Sequence, residues 1–445
     1  MNISANILAI ICHLATIIAI WLVWKWKSFV HPGFYFAVLW LFSVSSEWYL
    51  ISKDYATIPF PEYIDEVNGF SAFTSLCFLV CSLWGAKYRR QEYRINIVGN
   101  SQSYLRLLYV ALFAIIIQFI VSGASLSFGA NRLAITENLG HINKSYSAFD
   151  SLLAILTSPL IFFSISMGGF LAKKITNQPG RFSKYSIISI PLVITMLNAL
   201  MIGGRNPAII TLKNYFLGMG MGMPLYLTKA VRNKVLTYVC AVFIAFSLFS
   251  TYVGQDRNEL KNVAVKEYDS DVVESLSGIM EYMSFHYWGY QLRRTDFARG
   301  DELTYGVATF YGLGNFSIPF SSSLGLNGNL WQMCGVYYDP LDVYKSGVDG
   351  SYTTSTIYSL LVRDFGVNGT YFALALLVII THSIFLNVLK HPKRTALSLI
   401  PIILVFSYWA SSNFNSGFMP LQQLIIAALI FDLVQHNYSQ KCFQR

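Results

Sequence analysis

Long apolar runs alternate with short polar connections along most of this chain. Each run is about as long as the 20 residues that a helix needs to cross a bilayer. The apolar residues within a run are continuous rather than alternating, which indicates helices rather than strands. We therefore predict an all-α polytopic membrane protein with about eleven transmembrane helices. The predicted spans are residues 3–24, 33–52, 69–86, 104–128, 148–172, 184–203, 207–227, 231–254, 371–390, 396–413 and 418–436.

A long polar stretch divides these spans into two groups. We predict an N-terminal membrane region of eight spans over residues 1–254, followed by one large loop over residues 255–352. A C-terminal region over residues 353–445 then contains a half-helix and the last three spans.

The half-helix is predicted from residues 351–370, which contain too few apolar residues for a full span. Its short apolar stripe consists of Ile357, Leu360 and Leu361. Gly366 or Gly369 could end it, because glycine commonly follows the last turn of a helix. We predict an amphipathic half-helix at the outer membrane surface, lining a functional cavity. The alternative is an ordinary interfacial helix that leads into the next span.

Composition excludes a soluble enzyme. Only 12% of the 445 residues are charged and 54% are hydrophobic, whereas soluble domains contain about 25% charged residues. The net charge of +9 does not point to a nucleic-acid partner, because its placement follows the predicted topology. Short connections on one side carry 19 Lys and Arg residues, against four on the other. By the positive-inside rule, the N-terminus and the large loop are predicted outside and the C-terminus in the cytoplasm.

The first part of the large loop, residues 256–281, mixes charges at helical spacing, whereas the second part is rich in Gly, Tyr, Ser and Asn and low in charge. Aromatic faces stack on sugar rings, and amides and hydroxyls bind sugar hydroxyl groups, so this composition suits a carbohydrate ligand. The alternative is a packed loop domain that buries its own aromatic residues.

Two cations in or near the predicted spans need an explanation. Arg205 lies in a GGRNP turn at an outer span end, where its guanidinium could clamp a diphosphate through paired hydrogen bonds or simply bind a lipid phosphate. Lys213 lies about two turns into the next span, where a lysine is usually paired or snorkels to the interface. The spacing of Gly218 and Gly222 on that span predicts close helix packing.

The remaining candidates lie in or beside the loop. His286 is the only histidine of residues 255–352 and could act as a general base or a sugar contact; the alternative is a structural histidine. A basic cluster after it suggests an anionic ligand, or alternatively a solvated face; it consists of Arg293, Arg294 and Arg299. Asp364 is a second candidate base, with an ion pair to Arg363 as the alternative. The chain has no Walker A or GxGxxG sequence and no Asp-x-Asp pair in a glycosyltransferase-like setting, so no cofactor or metal is expected.

Three short stretches carry a resemblance to a known family. They are the GGRN turn from Gly203 to Asn206, the stretch from Tyr305 to Gly314, and the stretch from Tyr352 to Gly369. Together with many spans and one large external loop late in the chain, they resemble the O-antigen polymerases (Wzy type), also called oligosaccharide repeat-unit polymerases.

The resemblance implies a C-type glycosyltransferase fold in the bacterial inner membrane, with the active site on the periplasmic side. It implies transfer of a growing glycan from undecaprenyl diphosphate to the next lipid-linked repeat unit, in lipopolysaccharide biosynthesis. It implies partnership with a flippase, a chain-length regulator (polysaccharide co-polymerase) and a ligase. The alternatives are the O-antigen ligase, which shares donor and architecture, and a multi-spanning transporter or flippase.

For the polymerase reaction, we predict the following residues. The catalytic candidates are Arg205, His286 and Asp364, and the substrate-binding candidates are Arg293, Arg294, Arg299, Lys213, Tyr305 and Tyr352.

Overall fold

A computed structural model of the chain describes residues 3–53, 63–88, 160–177, 205–242, 356–390, 395–411 and 424–433, with scattered residues between 113 and 116, at 244, and between 280 and 334. These residues are almost entirely helical, as predicted. The helices are α1 (Ile3–Trp24), α2 (Pro32–Ser52), α3 (Ile64–Gly85), α4 (Leu160–Asn177), α5 (Arg205–Gly222), α6 (residues 229–242), α7 (Ile357–Lys390), α8 (Ile400–Ser411) and α9 (Leu424–Leu433). Short 3₁₀ turns follow α1 and α3 and precede α8, at Lys25–Val30, Ala86–Tyr88 and Leu397–Leu399. In the large loop, β1 (Asn315–Phe316) pairs antiparallel with β2 (Gly328–Asn329).

Several of the described helices are long and apolar enough to cross a membrane. Within the described residues there are four, at Ala5–Val30, Pro32–Ser52, Ile64–Gly85 and Ile357–Lys390. They agree with the spans predicted over residues 3–24, 33–52, 69–86 and 371–390. The span predicted over 184–203 and most of that over 104–128 lie outside the described residues, and each of the other spans contains a helix that is described over part of its predicted length. The total of eleven spans therefore stays a prediction.

Helices α1 and α3 are joined by a row of side-chain hydrogen bonds within an otherwise apolar interface. The pairs are Asn6 with Asn68, His13 with Ser75 at 2.7 Å between Nδ1 and Oγ, and Trp24 with Ser82 at 2.9 Å between Nε1 and Oγ. All of these side chains are buried, and interhelical hydrogen bonds of this kind hold membrane helices together. Because residue numbers rise together along both helices, α1 and α3 run parallel.

Helices α4 and α5 cross at a contact made by glycines. A Cβ added to Gly218 would lie 1.8 Å from the carbonyl oxygen of Ile165, and one added to Gly222 would lie 2.6 Å from the carbonyl oxygen of Gly169. Only residues without a side chain allow backbones to approach so closely. The close packing predicted from the Gly218 and Gly222 spacing is confirmed. This pair of helices also runs parallel.

Helix α7 is interrupted at Gly366, whose backbone has φ 68° and ψ 176°, a region that is essentially restricted to glycine. The segment from Ile357 to Phe365 is thus a separate half-helix, and the prediction that Gly366 ends it is confirmed. Gly369 instead lies within the second half of α7, packed against Phe365.

The predicted amphipathic character of the half-helix is wrong. Seven of its residues are buried, including all three of the predicted apolar stripe. Its Tyr358 ring lies 4.9 Å from Trp40 of α2 and 5.6 Å from Phe70 of α3. The half-helix therefore packs inside the helix bundle, because other helices cover the sides that the sequence pattern left to water.

Two further contacts join helix ends that the charge count assigns to the cytoplasmic side. The Lys27 ammonium, after α1, donates to the carbonyl oxygens of Gly220 and Met221 at 3.2 and 2.9 Å, where it complements the C-terminal end of α5. The Asp432 carboxylate near the end of α9 accepts hydrogen bonds from the backbone N–H groups of Ala396 and Leu397 at 2.7 and 3.2 Å.

Candidate functional site

The break in α7 is where the large loop meets the helix bundle. Asp364 is the next-to-last residue of the half-helix, and it is fully buried. The Thr304 hydroxyl donates to its Oδ1 at 2.5 Å, and the Thr309 N–H donates to its Oδ2 at 2.7 Å. Both carboxylate oxygens are therefore engaged by a loop segment about 60 residues away in sequence. This geometry favours a positioning role for Asp364 over the general-base role predicted from sequence.

The same loop segment caps the half-helix. An α-helix that stops at Gly366 leaves its last carbonyl groups without intrahelical partners. The N–H groups of Thr304 and Tyr305 donate to the carbonyl oxygens of Arg363 and Asp364, each at 3.2 Å. The break at the glycine thus leaves carbonyl groups that can accept hydrogen bonds, and the loop supplies N–H donors to two of them. The break and the docked loop therefore support each other.

Tyr305 has an unusual backbone at this junction. Its φ is 47° and that of Gly306 is 98°, both in the left-handed region, which costs a bulky residue about 1–3 kcal/mol. The Tyr305 side chain is 79% exposed, so packing of the ring does not offset that strain. The hydrogen bonds to α7 hold this conformation, together with a bond from the Phe310 N–H to the Gly306 carbonyl oxygen at 3.0 Å.

A second contact joins the loop to the first turn of α3. The Glu66 carboxylate accepts hydrogen bonds from the Tyr290 hydroxyl at 2.5 Å and from the Arg294 Nε at 3.2 Å. The Arg294 guanidinium also lies over the Tyr63 ring, 5.5 Å from its centroid. Burial, and then the negative charge of Glu66, raise the pKa of Tyr290, so this phenol stays protonated and remains a donor. Arg294, predicted to bind an anionic ligand, is paired here within the protein.

Glu66 was not singled out from the sequence. It follows Asp65 in the first turn of α3, where a carboxylate is stabilised by the helix dipole. That placement explains an acidic residue at a helix start without a ligand, and nothing in the local sequence indicates that a residue 228 positions away will pair with it.

The two loop contacts lie at one end of the bundle, on either side of Phe70. The Phe70 ring is 6.3 Å from Tyr290, 5.6 Å from Tyr358 and 4.8 Å from Tyr371. Tyr290 belongs to the loop and Tyr371 follows the break in α7, so this aromatic cluster connects the Glu66 contact to the half-helix. Of the predicted site residues, the structure brings Asp364 and Tyr305 into direct contact and places Arg294 at the same end.

The other predicted site residues are located less fully. Arg205 is the first residue of α5. Lys213 follows two turns later and is only 6% exposed, so its side chain is buried within the protein. The remaining candidates lie outside the described residues; they are His286, Arg293, Arg299 and Tyr352.

Within the part of the chain that the structure describes, no group of three or more His, Cys, Asp or Glu residues could hold a metal ion. No family model matches the chain, and neither does any curated protein or solved structure. A function for this site is therefore argued from its residues.

Proposed function

We propose that this protein polymerises undecaprenyl-diphosphate-linked repeat units of O-antigen, or of a similar surface polysaccharide, at the periplasmic face of the bacterial inner membrane. The observation that supports the proposal is the junction at Asp364. Two of the three stretches that carry the family resemblance, Tyr305–Gly314 and Tyr352–Gly369, contact each other there although the loop separates them in sequence. A polymerase needs such a junction, because its lipid carrier lies among helices while its glycan lies outside them.

In the proposed reaction, the bond between the anomeric carbon of the donor glycan and its diphosphate oxygen breaks. The acceptor sugar hydroxyl forms a new bond to that carbon, and undecaprenyl diphosphate leaves with the electron pair. Arg205 would neutralise the developing charge on the diphosphate through a bidentate contact, a role that needs no metal. His286 would accept the proton of the acceptor hydroxyl. Lys213, Arg293 and Arg299 are proposed as further anion or glycan contacts, and Tyr352 as a sugar contact.

Asp364 has a different role in this proposal from the one predicted by sequence. Since both of its oxygens accept hydrogen bonds from the loop, it acts as a positioning residue that fixes the loop over the helix break. The flippase that delivers lipid-linked units, the chain-length regulator and the ligase that consumes the polymer are the proposed partners.

The test is the electrophoretic profile of lipopolysaccharide from a strain that lacks this gene. We expect a core that carries a single repeat unit and no ladder, with the ladder restored by the wild-type gene. A bare core with accumulated lipid-linked polymer would instead indicate the ligase. A bare core with lipid-linked single units on the cytoplasmic leaflet would indicate a flippase. An unchanged ladder would contradict all three functions.

Variants of Arg205 test the proposed chemistry in the same assay. Arg205→Ala and Arg205→Lys should both fail to restore the ladder, because lysine keeps the charge but lacks the planar fork of guanidinium. Arg232→Ala is the matched control, since Arg232 is exposed on α6 and is predicted on the cytoplasmic side. A normal ladder from Arg205→Lys would contradict the clamp.

A further inference from the structure

The Tyr305 ring is the most exposed large hydrophobic side chain among the described residues, at 79%. It projects from a backbone segment that several hydrogen bonds hold against α7. The Tyr305 N–H donates to the Asp364 carbonyl oxygen, and the Thr304 N–H donates to the Arg363 carbonyl oxygen. The Thr304 hydroxyl and the Thr309 N–H both donate to the Asp364 carboxylate.

This combination differs from that of an ordinary surface tyrosine. A tyrosine that anchors a protein at the membrane interface needs an amphipathic ring but no particular backbone conformation. A left-handed φ of 47° is unfavourable for tyrosine and persists only where the surroundings impose it. Here the main-chain carbonyl of Asp364 binds Tyr305, and the buried Asp364 carboxylate binds Thr304 and Thr309. These bonds fix the backbone position from which the exposed ring projects. Such preorganisation reduces the entropy that is lost when a ligand binds.

We propose that the Tyr305 ring is a stacking platform for a sugar ring of the growing glycan, outside the reaction centre. The saccharide, rather than a charged or strongly apolar ligand, is argued from the surroundings. The platform belongs to residues 303–338, the part of the loop that contains no Asp, Glu, Lys or Arg and is rich in hydroxyl and amide side chains. A pyranose ring presents an apolar C–H face beside its hydroxyl groups. The identity of this saccharide as the growing polymer rests on the proposed function.

The platform has a consequence for the product. A polymerase that releases its glycan between additions makes short chains, whereas a second contact keeps the glycan near the site, by raising its effective concentration. Tyr305 would therefore affect chain length more than the formation of the first linkage.

The test compares Tyr305→Ala with Tyr305→Phe, which retains the ring, in the purified full-length protein. The probe is lipid-free O-polysaccharide, released from lipopolysaccharide of the same strain by mild acid, and its binding is measured by saturation-transfer NMR and equilibrium dialysis. We expect Tyr305→Ala to weaken binding roughly two- to tenfold, as for other aromatic contacts, and Tyr305→Phe to bind like wild type. Met333→Ala is the matched control, because Met333 is 72% exposed in the same loop.

In cells, Tyr305→Ala should shift the lipopolysaccharide ladder to shorter chains while the first linkages still form. Equal binding of the polysaccharide by Tyr305→Ala and wild type would overturn the platform, and so would equal loss of binding in Tyr305→Phe. The melting temperature of each variant separates these outcomes from misfolding. If the gene deletion leaves the ladder intact but Tyr305→Ala still loses polysaccharide binding, the saccharide platform stands and the polymerase function fails.

Discussion

Single carboxylates fix the large loop at two points, the buried Asp364 on α7 and the partly buried Glu66 on α3. At the residue scale, Asp364→Ala should release one of them, because it removes two hydrogen bonds to a charged group, each contributing about 1.5–3 kcal/mol, and leaves the buried Thr309 N–H without its acceptor. We expect the loop of the purified protein to be cleaved by a protease at least about tenfold faster, since cleavage follows the population of the open state.

Asp364→Asn provides the graded comparison for that experiment. Its amide oxygen can still accept from the Thr309 N–H, and its amide N–H can donate to the Thr304 hydroxyl, so the cleavage rate should lie between those of wild type and Asp364→Ala. Glu66→Gln tests the other attachment by the same measurement. Wild-type protease resistance in Asp364→Ala would show that the loop does not depend on this carboxylate.

Sequence reasoning identified Asp364 as a residue that needs an explanation but not what it binds. Its neighbour Arg363 offered an ion pair as the alternative, whereas the carboxylate contacts Thr304 and Thr309. Hydroxyl and backbone donors are too common along a chain to signal a distant partner. For the same reason the sequence left Arg294 open between an anion-binding residue and part of a solvated face, and only the structure shows its pairing with Glu66.

At the scale of elements, the crossing of α4 and α5 gives a prediction with its control in the adjacent residue. A Cβ at Gly168 would lie 2.0 Å from the Tyr215 carbonyl oxygen, whereas one at Gly169 has its nearest neighbour at 3.4 Å. Gly168→Ala should therefore separate the helices and destabilise the protein by about 2 kcal/mol or more, as overpacking does. Gly169→Ala should have little effect.

Thermal unfolding of both variants in detergent, followed by size-exclusion chromatography, measures the difference. Equal melting temperatures for the two variants would mean that α4 and α5 do not cross at Gly168. The close approach of α5 to a partner was predictable because glycines four residues apart present one smooth face. The partner helix α4 was not predictable, because its two contact glycines, Gly168 and Gly169, are adjacent and lack the four-residue spacing.

For the half-helix, too, a feature set by the local sequence was predictable and a feature set by tertiary packing was not. Its end at Gly366 could be predicted, because glycine is the residue that adopts this backbone conformation. Its burial could not, because the polar residues of residues 351–370 suggested an exposed face, and only the positions of α2, α3 and the loop show which sides are covered. Ser359, for example, is buried with its hydroxyl bonded to the carbonyl oxygen of Thr356 at 2.7 Å.

At the scale of the whole molecule, the helix contacts agree with the alternation that was predicted from charge. Parallel packing joins α1 to α3 through the polar pairs and α4 to α5 through the glycines. Helices α3 and α7 are also parallel, because Gly69 lies against Tyr371 and Gly85 against His382. In the predicted topology all five of these helices run from the outside to the inside. The contacts do not depend on the Lys and Arg count, and they support the predicted relative directions of these helices.

Which face of the membrane is outside stays a prediction, and cysteine labelling tests it. Cys334 is exposed in the large loop, and Cys442 lies in the C-terminal tail. Three predicted spans separate them, and an odd number places them on opposite sides. In variants that retain only one of these cysteines, a membrane-impermeant maleimide should label Cys334 in intact cells. It should label Cys442 only after the inner membrane is permeabilised.

The result separates three arrangements. Labelling of Cys442 but not Cys334 in intact cells would invert the topology and place the Tyr305 platform in the cytoplasm, away from a periplasmic glycan. Labelling of both in intact cells would require an even number of spans after the loop, so one of the segments at 371–390, 396–413 and 418–436 would not cross. Because α7 is broken and α8 and α9 are described over only 12 and 10 residues, this count is the part of the predicted topology that labelling tests most severely.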